Sequence, residues 1–300
     1  MADIRFDGQV AIVTGAGGGL GRQYALDLAA RGAKVVVNDL GGAMDGSGGS
    51  SEAADKVVAE ITAAGGTAIA NGSSVTDDAG VARMVKDTMD AWGRIDILIA
   101  NAGVLRDKSF SKMEIADFQF VIDVHLMGTV KCVKAVWEIM KAQNYGRIVG
   151  VTSPTGLYGN FGQANYGAAK AGIVGLMHTL KIEGAKNNIH VNVISPVAAT
   201  RMTENLMPPD VLAKMGPAMI APGVVFLCSE EAPTGTILTA GGGAFAVARL
   251  HETEGAYVGD APSAEAVRDH WAAITDTAGE TAYAGGGEQM QKFFRKMGGG

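Results

Sequence analysis

Val10-Ala11-Ile12-Val13-Thr14-Gly15-Ala16-Gly17-Gly18-Gly19-Leu20-Gly21 is the stretch whose reading decides the fold. Val10 to Val13 is a short apolar run closed by turn residues, so it reads as a strand, and Leu20 to Arg31 is long enough to be the helix that follows. The glycines therefore stand where a strand hands over to a helix. Gly15 can begin the tight turn, Gly19 lets the backbone approach a pyrophosphate, and Gly21 lets the helix lie close on the sheet. The helix N-terminus beginning near Leu20 would add free amides and the positive end of a dipole.

Outward from that stretch, β-branched runs alternate with helix-length segments. Lys34 to Val37, Thr67 to Ala70, Ile95 to Ile99, Arg147 to Val151 and Ile189 to Ile194 read as further strands. Ser51 to Ala64, Asp77 to Trp92, Lys112 to Lys141 and Gln163 to Lys186 read as helices. This order predicts an α/β protein with a Rossmann-type, doubly wound parallel sheet covered by helices on both faces. The alternation stops near Ala240. Residues 1–240 are expected to form one catalytic domain, and 241–300 an extension whose helix at Ala261 to Thr275 covers a subunit interface or a substrate mouth. Gly41 to Ser51 reads as a mobile surface loop after the second strand.

Composition narrows the function classes. The chain has 300 residues, 47% apolar and 19% charged, which is ordinary for a globular protein. Its 43 glycines follow no triplet period and must serve turns and close contacts. A formal net charge of -6 offers no general attraction to nucleic acid or anionic lipid, so neither is an expected partner. No apolar run is long enough for a signal peptide or a membrane span. The two cysteines have no CxxC spacing, which fits a reducing compartment, the cytoplasm by default. The histidines make no metal-like cluster, and no metal is expected.

Asp39 ends the second strand about twenty residues after Gly19, the separation at which a carboxylate bonds the adenosine ribose hydroxyls. It would repel the extra phosphate of NADP, so the cofactor is expected to be NAD; Arg22 on the first helical turn leaves NADP open. Tyr166 and Lys170 are spaced i, i+4 and share a helix face. Of the six tyrosines, only Tyr166 has a lysine at that spacing. An ammonium roughly 4 Å away can lower a phenol pKa by about 3 units, enough for acid–base work near neutrality. Ser153, at the end of the Arg147 to Val151 strand, would emerge at the carboxyl edge of the sheet and could donate to a substrate oxygen.

With these residues the chain resembles the short-chain dehydrogenase/reductase family over nearly its whole length. TGAGGGLG matches the glycine motif, Asn101-Ala102-Gly103 the Asn-Ala-Gly strand end, and Ser153, Tyr166 and Lys170 the catalytic set. The resemblance implies that Tyr166 is the acid–base, that Lys170 holds the nicotinamide ribose and lowers the Tyr166 pKa, and that Ser153 orients the substrate oxygen. It also implies that Leu40 follows Asp39 beside the cofactor and that Ser74 and Val75 lie near adenine, where Asp-Val is often found. Thr200, after Pro196, would bond the nicotinamide carboxamide, with the Val197 backbone facing the ring.

A narrower similarity, through VVVNDLGG, LYGNFGQANYGAAK and NNIHVNVISP, is to the dehydrogenase part of the type 2 peroxisomal multifunctional enzymes. It implies oxidation of a (3R)-hydroxyacyl-CoA, with a free hydroxysteroid or a 3-oxoacyl thioester as the rival substrate, and a homodimer or homotetramer. Many family members carry Asn where this chain has His125. That histidine is expected either to pass protons or to cap a helix bend. Met202, Met207, Met215 and Met219 follow Pro196 and would line an adaptable pocket or serve as ordinary core.

Overall fold

The computed structural model describes residues 3–43, 45–50, 52–198 and 214–298. Its frame is an eight-stranded sheet in the order β3-β2-β1-β4-β5-β6-β7-β8. β1 (Val10–Thr14), β2 (Lys34–Asn38), β3 (Thr67–Asn71), β4 (Ile97–Ala100), β5 (Gly146–Val151), β6 (Ile189–Val197) and β7 (Ile237–Gly241) pair in parallel. β8 (Ala244–Ala248) follows through Gly242 and Gly243, both at positive φ, a turn so short that the strand must run back against β7. The strand order reverses between β1 and β4, and ligands of open α/β sheets bind at the carboxyl ends flanking such a switch.

Every residue of β1, β4 and β5 is buried, as expected when helices cover both faces of a sheet. On one face Val13, Val37, Ile99 and Ile194 pack with Tyr24 and Leu28 of α1 (Gly19–Ala30), with Val57 and Ile61 of α2 (Glu52–Ala63), and with Val224 and Leu227 from the 221–228 helix. Each such side chain contributes about 1.5–3 kcal/mol by leaving water. α3 (Asp78–Trp92), with Asp77 capping its first amides, and the 128–143 and 164–184 helices supply the rest of the cover.

The segment expected as one helix from Lys112 to Lys141 is broken. A 3-10 turn (Phe110–Lys112) precedes α4 (Ile115–Ile122), a π-helical turn spans Asp123–Met127, and α5 (Gly128–Gln143) completes it. The wide turn is seated by glycine: a Cβ on Gly172 would lie 2.8 Å from Leu126, and one on Gly128 2.7 Å from Val75. One π turn shifts the apolar stripe by only about one residue, too small a change for the sequence pattern to reveal it. Short α6 (Pro154–Tyr158) and α7 (Ala164–Gly184) follow β5, and α8 (Ala221–Cys228) precedes β7.

The chain divides into two compact units, residues 1–247 and 248–300. In the second, the expected helix at Ala261 to Thr275 is two pieces, α9 (Ala264–Asp269) and α10 (Trp271–Ile274), joined at His270. Its last helix, α11 (Gly286–Lys296), is clamped by Lys292 to Glu252 and the Thr253 carbonyl, and by Lys296 to Glu254.

Candidate active site

The β1–α1 turn forms a cradle that requires glycine at several of its positions. Gly15 and Gly19 have φ of +64° and +53°. A Cβ on Gly21 would lie 2.2 Å from the Gly15 carbonyl, and one on Gly15 2.8 Å from the Ala102 Cα. Asn101 ties this turn to the end of β4: its Nδ2 donates to the carbonyls of Thr14 and Gly15, both at 3.0 Å, while the amides of Asn101 and Ala102 donate to the Thr14 hydroxyl. Helix α1 starts with no side-chain cap and no acidic residue in its first turn, so its amides stay available to an anion.

Asp39 sits inside the cradle, its carboxylate accepting from the Gly17 amide at 2.7 Å and the Gly41 amide at 2.6 Å. Gly17 was not among the expected site residues, yet a Cβ there would meet Ala53 at 2.7 Å and the Asp39 carboxyl carbon at 2.8 Å. The signal was present as one more glycine in a glycine-rich run, without the second strand's position to single it out. Arg22, the residue that left NADP open, is paired with Glu60 of α2. Leu40 is exposed beside Asp39. The Ser74 hydroxyl bonds Thr76 at 2.8 Å, and Val75 is buried.

Ser153, Tyr166 and Lys170 converge at the carboxyl end of β5. Ser153 caps α6, its oxygen accepting the Thr155 amide at 3.1 Å, which leaves its own O–H to donate. Lys170 is buried, donates to the Val151 carbonyl at 2.6 Å, and stands 5.5 Å from the centre of the Tyr166 ring. The Thr152 hydroxyl donates to the Lys170 carbonyl at 2.8 Å and fastens the helix to the strand. Asn165, fully buried, accepts the Tyr166 amide at 2.7 Å and donates to the Arg106 carbonyl.

The electrostatics of the trio differ from expectation. Burial pushes the Lys170 amine down to about 7, so it does not stand as a permanent ammonium beside Tyr166. Burial raises the Tyr166 phenol above its ordinary value, and the group that pulls it back down is the Ser153 hydroxyl. Two side chains competing for one dry space explain both directions.

His125 lies on the π-helical turn, buried, with its ring edge-to-face on Tyr166 at 5.1 Å between centres and 88° between planes. Its Nε2 is 2.8 Å from the Val104 carbonyl and 3.1 Å from the Val104 amide. Burial, reinforced by Lys170, holds its pKa well below the usual histidine value, so the ring is neutral. A Cβ on Gly103 would be 2.3 Å from the His125 Cε1. Gly103→Ala is therefore expected to lower the unfolding free energy by about 1–3 kcal/mol by displacing the ring, measurable in urea. Unchanged stability would mean that the ring has space to move.

Pro196 and Val197 close β6. Val197 lines a cavity of about 350 Å³ with Pro154, Tyr158, Ser195, Gly241 and Phe245. Thr200, Met202 and Met207 lie outside the described residues, whereas Met215 and Met219 pack over the Gly242–Gly243 turn. Among the described residues no group of His, Cys, Asp and Glu could hold a metal ion, and no helix is long and apolar enough to cross a membrane.

The family model described as short chain dehydrogenase matches residues 9–210. The chain belongs to that family. It is accordingly an oxidoreductase. A short-chain type dehydrogenase/reductase of Mycobacterium tuberculosis is 50% identical over 272 residues, covering 90% of this chain and 95% of the relative. The peroxisomal multifunctional enzyme type 2 of Mus musculus is 51% identical over 277 residues, 91% of this chain but 37% of that longer protein. Among solved structures, a 7α-hydroxysteroid dehydrogenase complexed with NADH and 7-oxo glycochenodeoxycholic acid superposes with a TM-score of 0.72. It is 31% identical, with 81% of this chain and 98% of that one covered.

Proposed function

We propose that this short-chain dehydrogenase oxidises a (3R)-hydroxyacyl-CoA, of fatty-acyl or steroid-side-chain type, to the 3-ketoacyl-CoA with NAD. The observation that carries the reading is the convergence of Ser153, Tyr166 and Lys170 beside a glycine cradle with Asp39 at its floor. A dinucleotide fits the residues present, because the tight glycine turn leads into a helix N-terminus with no side-chain cap and no acidic residue in its first turn, which suits its phosphates. The carboxylate of Asp39, held by two amides, favours ribose hydroxyls over a ribose phosphate. When bound, the dinucleotide supplies the hydride acceptor.

In this reading the Ser153 O–H donates to the substrate oxygen and Tyr166 receives the hydroxyl proton. Lys170, behind the Tyr166 ring, favours the phenolate when it is protonated. The apolar cavity beginning at Pro154 gives the acyl part a place to leave water. The thioester rests on the similarity to the multifunctional enzyme. The steroid bound to the hydroxysteroid dehydrogenase favours a second reading, a free hydroxysteroid substrate. A homodimer or homotetramer in the cytoplasm, where the buried thiols of Cys132 and Cys228 stay reduced, completes the proposal.

The test is a panel of 3R- and 3S-hydroxyacyl-CoAs and hydroxysteroids with NAD or NADP, followed by reduced-cofactor absorbance. Turnover of the 3R thioesters is expected, with kcat/KM for NAD exceeding that for NADP by at least about tenfold, roughly the worth of one mismatched charge contact. Turnover of steroids alone would promote the second reading. Tight NAD binding with no turnover of any alcohol would defeat both.

A further inference from the structure

We infer that the excursion after β2, described at residues 41–43 and 45–50, is a strap that closes over the bound dinucleotide, and that Arg106 is the positioning residue that buckles it. The inference rests on the dinucleotide-binding part of the reading above. The composition of this stretch reads as a mobile surface loop, yet the fold ties it down at both ends. At its neck the Ser50 amide donates to the Leu40 carbonyl at 2.9 Å, and the Gly41 amide donates to Asp39, the carboxylate at the cradle floor. The Ala43 amide donates to the Ser47 carbonyl at 2.8 Å, so the stretch is a narrow hairpin-like excursion rather than an open loop. Its tip rests on the far side of the cradle: a Cβ on Gly46 would be 2.6 Å from the Phe120 ring of α4 and 3.3 Å from Val104, which follows β4.

β1 stands between β2 and β4 in the sheet. A segment rooted beside Asp39 and resting on Val104 therefore crosses the carboxyl end of β1, where the glycine turn begins and where a dinucleotide would lie. One side chain holds it there. Arg106 Nε donates to the Asp45 carbonyl at 3.1 Å, its Nη1 donates to Asp117 at 2.9 Å, and its guanidinium lies 4.0 Å over the centre of the same Phe120 ring. Asp117 is steadied on its second oxygen by Lys108. The Arg106 carbonyl accepts from Asn165, so the buckle is anchored to the helix that carries Tyr166. A planar fork of donors suits this task, because a single ammonium cannot reach a carbonyl and a carboxylate while lying flat on a ring. The contacts at the tip are few and near the surface, so the strap can open to admit a ligand and close again behind it.

Arg106→Met keeps an apolar side chain against Phe120 and deletes the donors, whereas Arg106→Lys keeps the charge and deletes the fork. In stopped-flow release of NADH, followed by its fluorescence, both variants are expected to lose the dinucleotide about five- to thirtyfold faster than the parent, the range of one or two hydrogen bonds. Gly46→Ala, which pushes the tip off Phe120 without touching the arginine, is expected to do the same and decides the matter where the Met variant does not fold. Hydrogen exchange at the amides of residues 45–50 should slow when NADH binds to the parent and stay fast in the variants. Parental release from the Met and Ala variants, or exchange in the parent that ignores NADH, overturns the inference. Tighter NADH binding in the variants also overturns it, since the stretch would then obstruct the site rather than close it. A parent that binds no reduced dinucleotide fails the dehydrogenase reading and this inference with it, whereas a parent that binds NADH and releases it as fast as the variants fails this inference alone.

Discussion

Replacing Tyr166 by Phe is expected to reduce kcat by about a thousandfold or more while NAD binding stays within a few-fold of the parent. The substitution deletes one oxygen and leaves the ring, so the edge contact with His125 and the amide bond to Asn165 survive. What disappears is the sole phenol that Ser153 faces. A proton then has no acceptor on the protein side of the substrate oxygen, because Lys170 is turned to the Val151 carbonyl. Stopped-flow turnover, with NAD binding followed by isothermal titration calorimetry, would measure both quantities. A variant retaining most of its activity would move the acid–base role to another residue.

The second large effect is on stability and has the opposite sign to the effect on activity. Lys170→Met is expected to stabilise the cofactor-free protein below pH 7 while removing turnover. The Lys170 amine falls from 10.5 to about 7 on burial, with no carboxylate beside it to offset the desolvation. Between about pH 7 and pH 10 the unfolded chain therefore binds a proton that the folded chain has released, and stability rises with pH across that window. Below about pH 7 both states are charged and the full penalty stands. At about 1.4 kcal/mol per unit the penalty is on the order of 3–5 kcal/mol, reduced somewhat because the bond to Val151 is also lost. Urea unfolding at pH 6, 8 and 10 should show the parent gaining on the variant as pH rises. A variant less stable than the parent at every pH would show that the lysine is held by more than the Val151 carbonyl.

Much of this architecture was legible in the sequence because its signals are local. The run Val10 to Val13, the glycines from Gly15 to Gly21 and the i, i+4 pair Tyr166 and Lys170 each carry their reason within a few residues. The parallel order of β1 to β6 follows from strands alternating with helices. The parts that were not legible depend on contacts between distant segments. Gly17 matters because Asp39 and Ala53 come to it from elsewhere in the chain. The π-helical turn depends on Gly172 from another helix, and β7 and α8 lie in a stretch where apolar residues run without a clear period. The same holds for charge: spacing shows that Tyr166 and Lys170 are neighbours, but their burial, which raises the phenol and lowers the amine, comes from the packed fold.

The imidazole of His125 occupies the volume that a side chain at position 103 would need, so the two positions form a single inherited character. With His125 in place, alanine at 103 has to displace the ring at the cost given above, whereas a shorter residue at 125 removes that clash. The order of mutations is thus constrained, and the pair should show strong epistasis in a combinatorial library: each single change harmful at 103, and tolerated only on the background in which 125 has already shrunk.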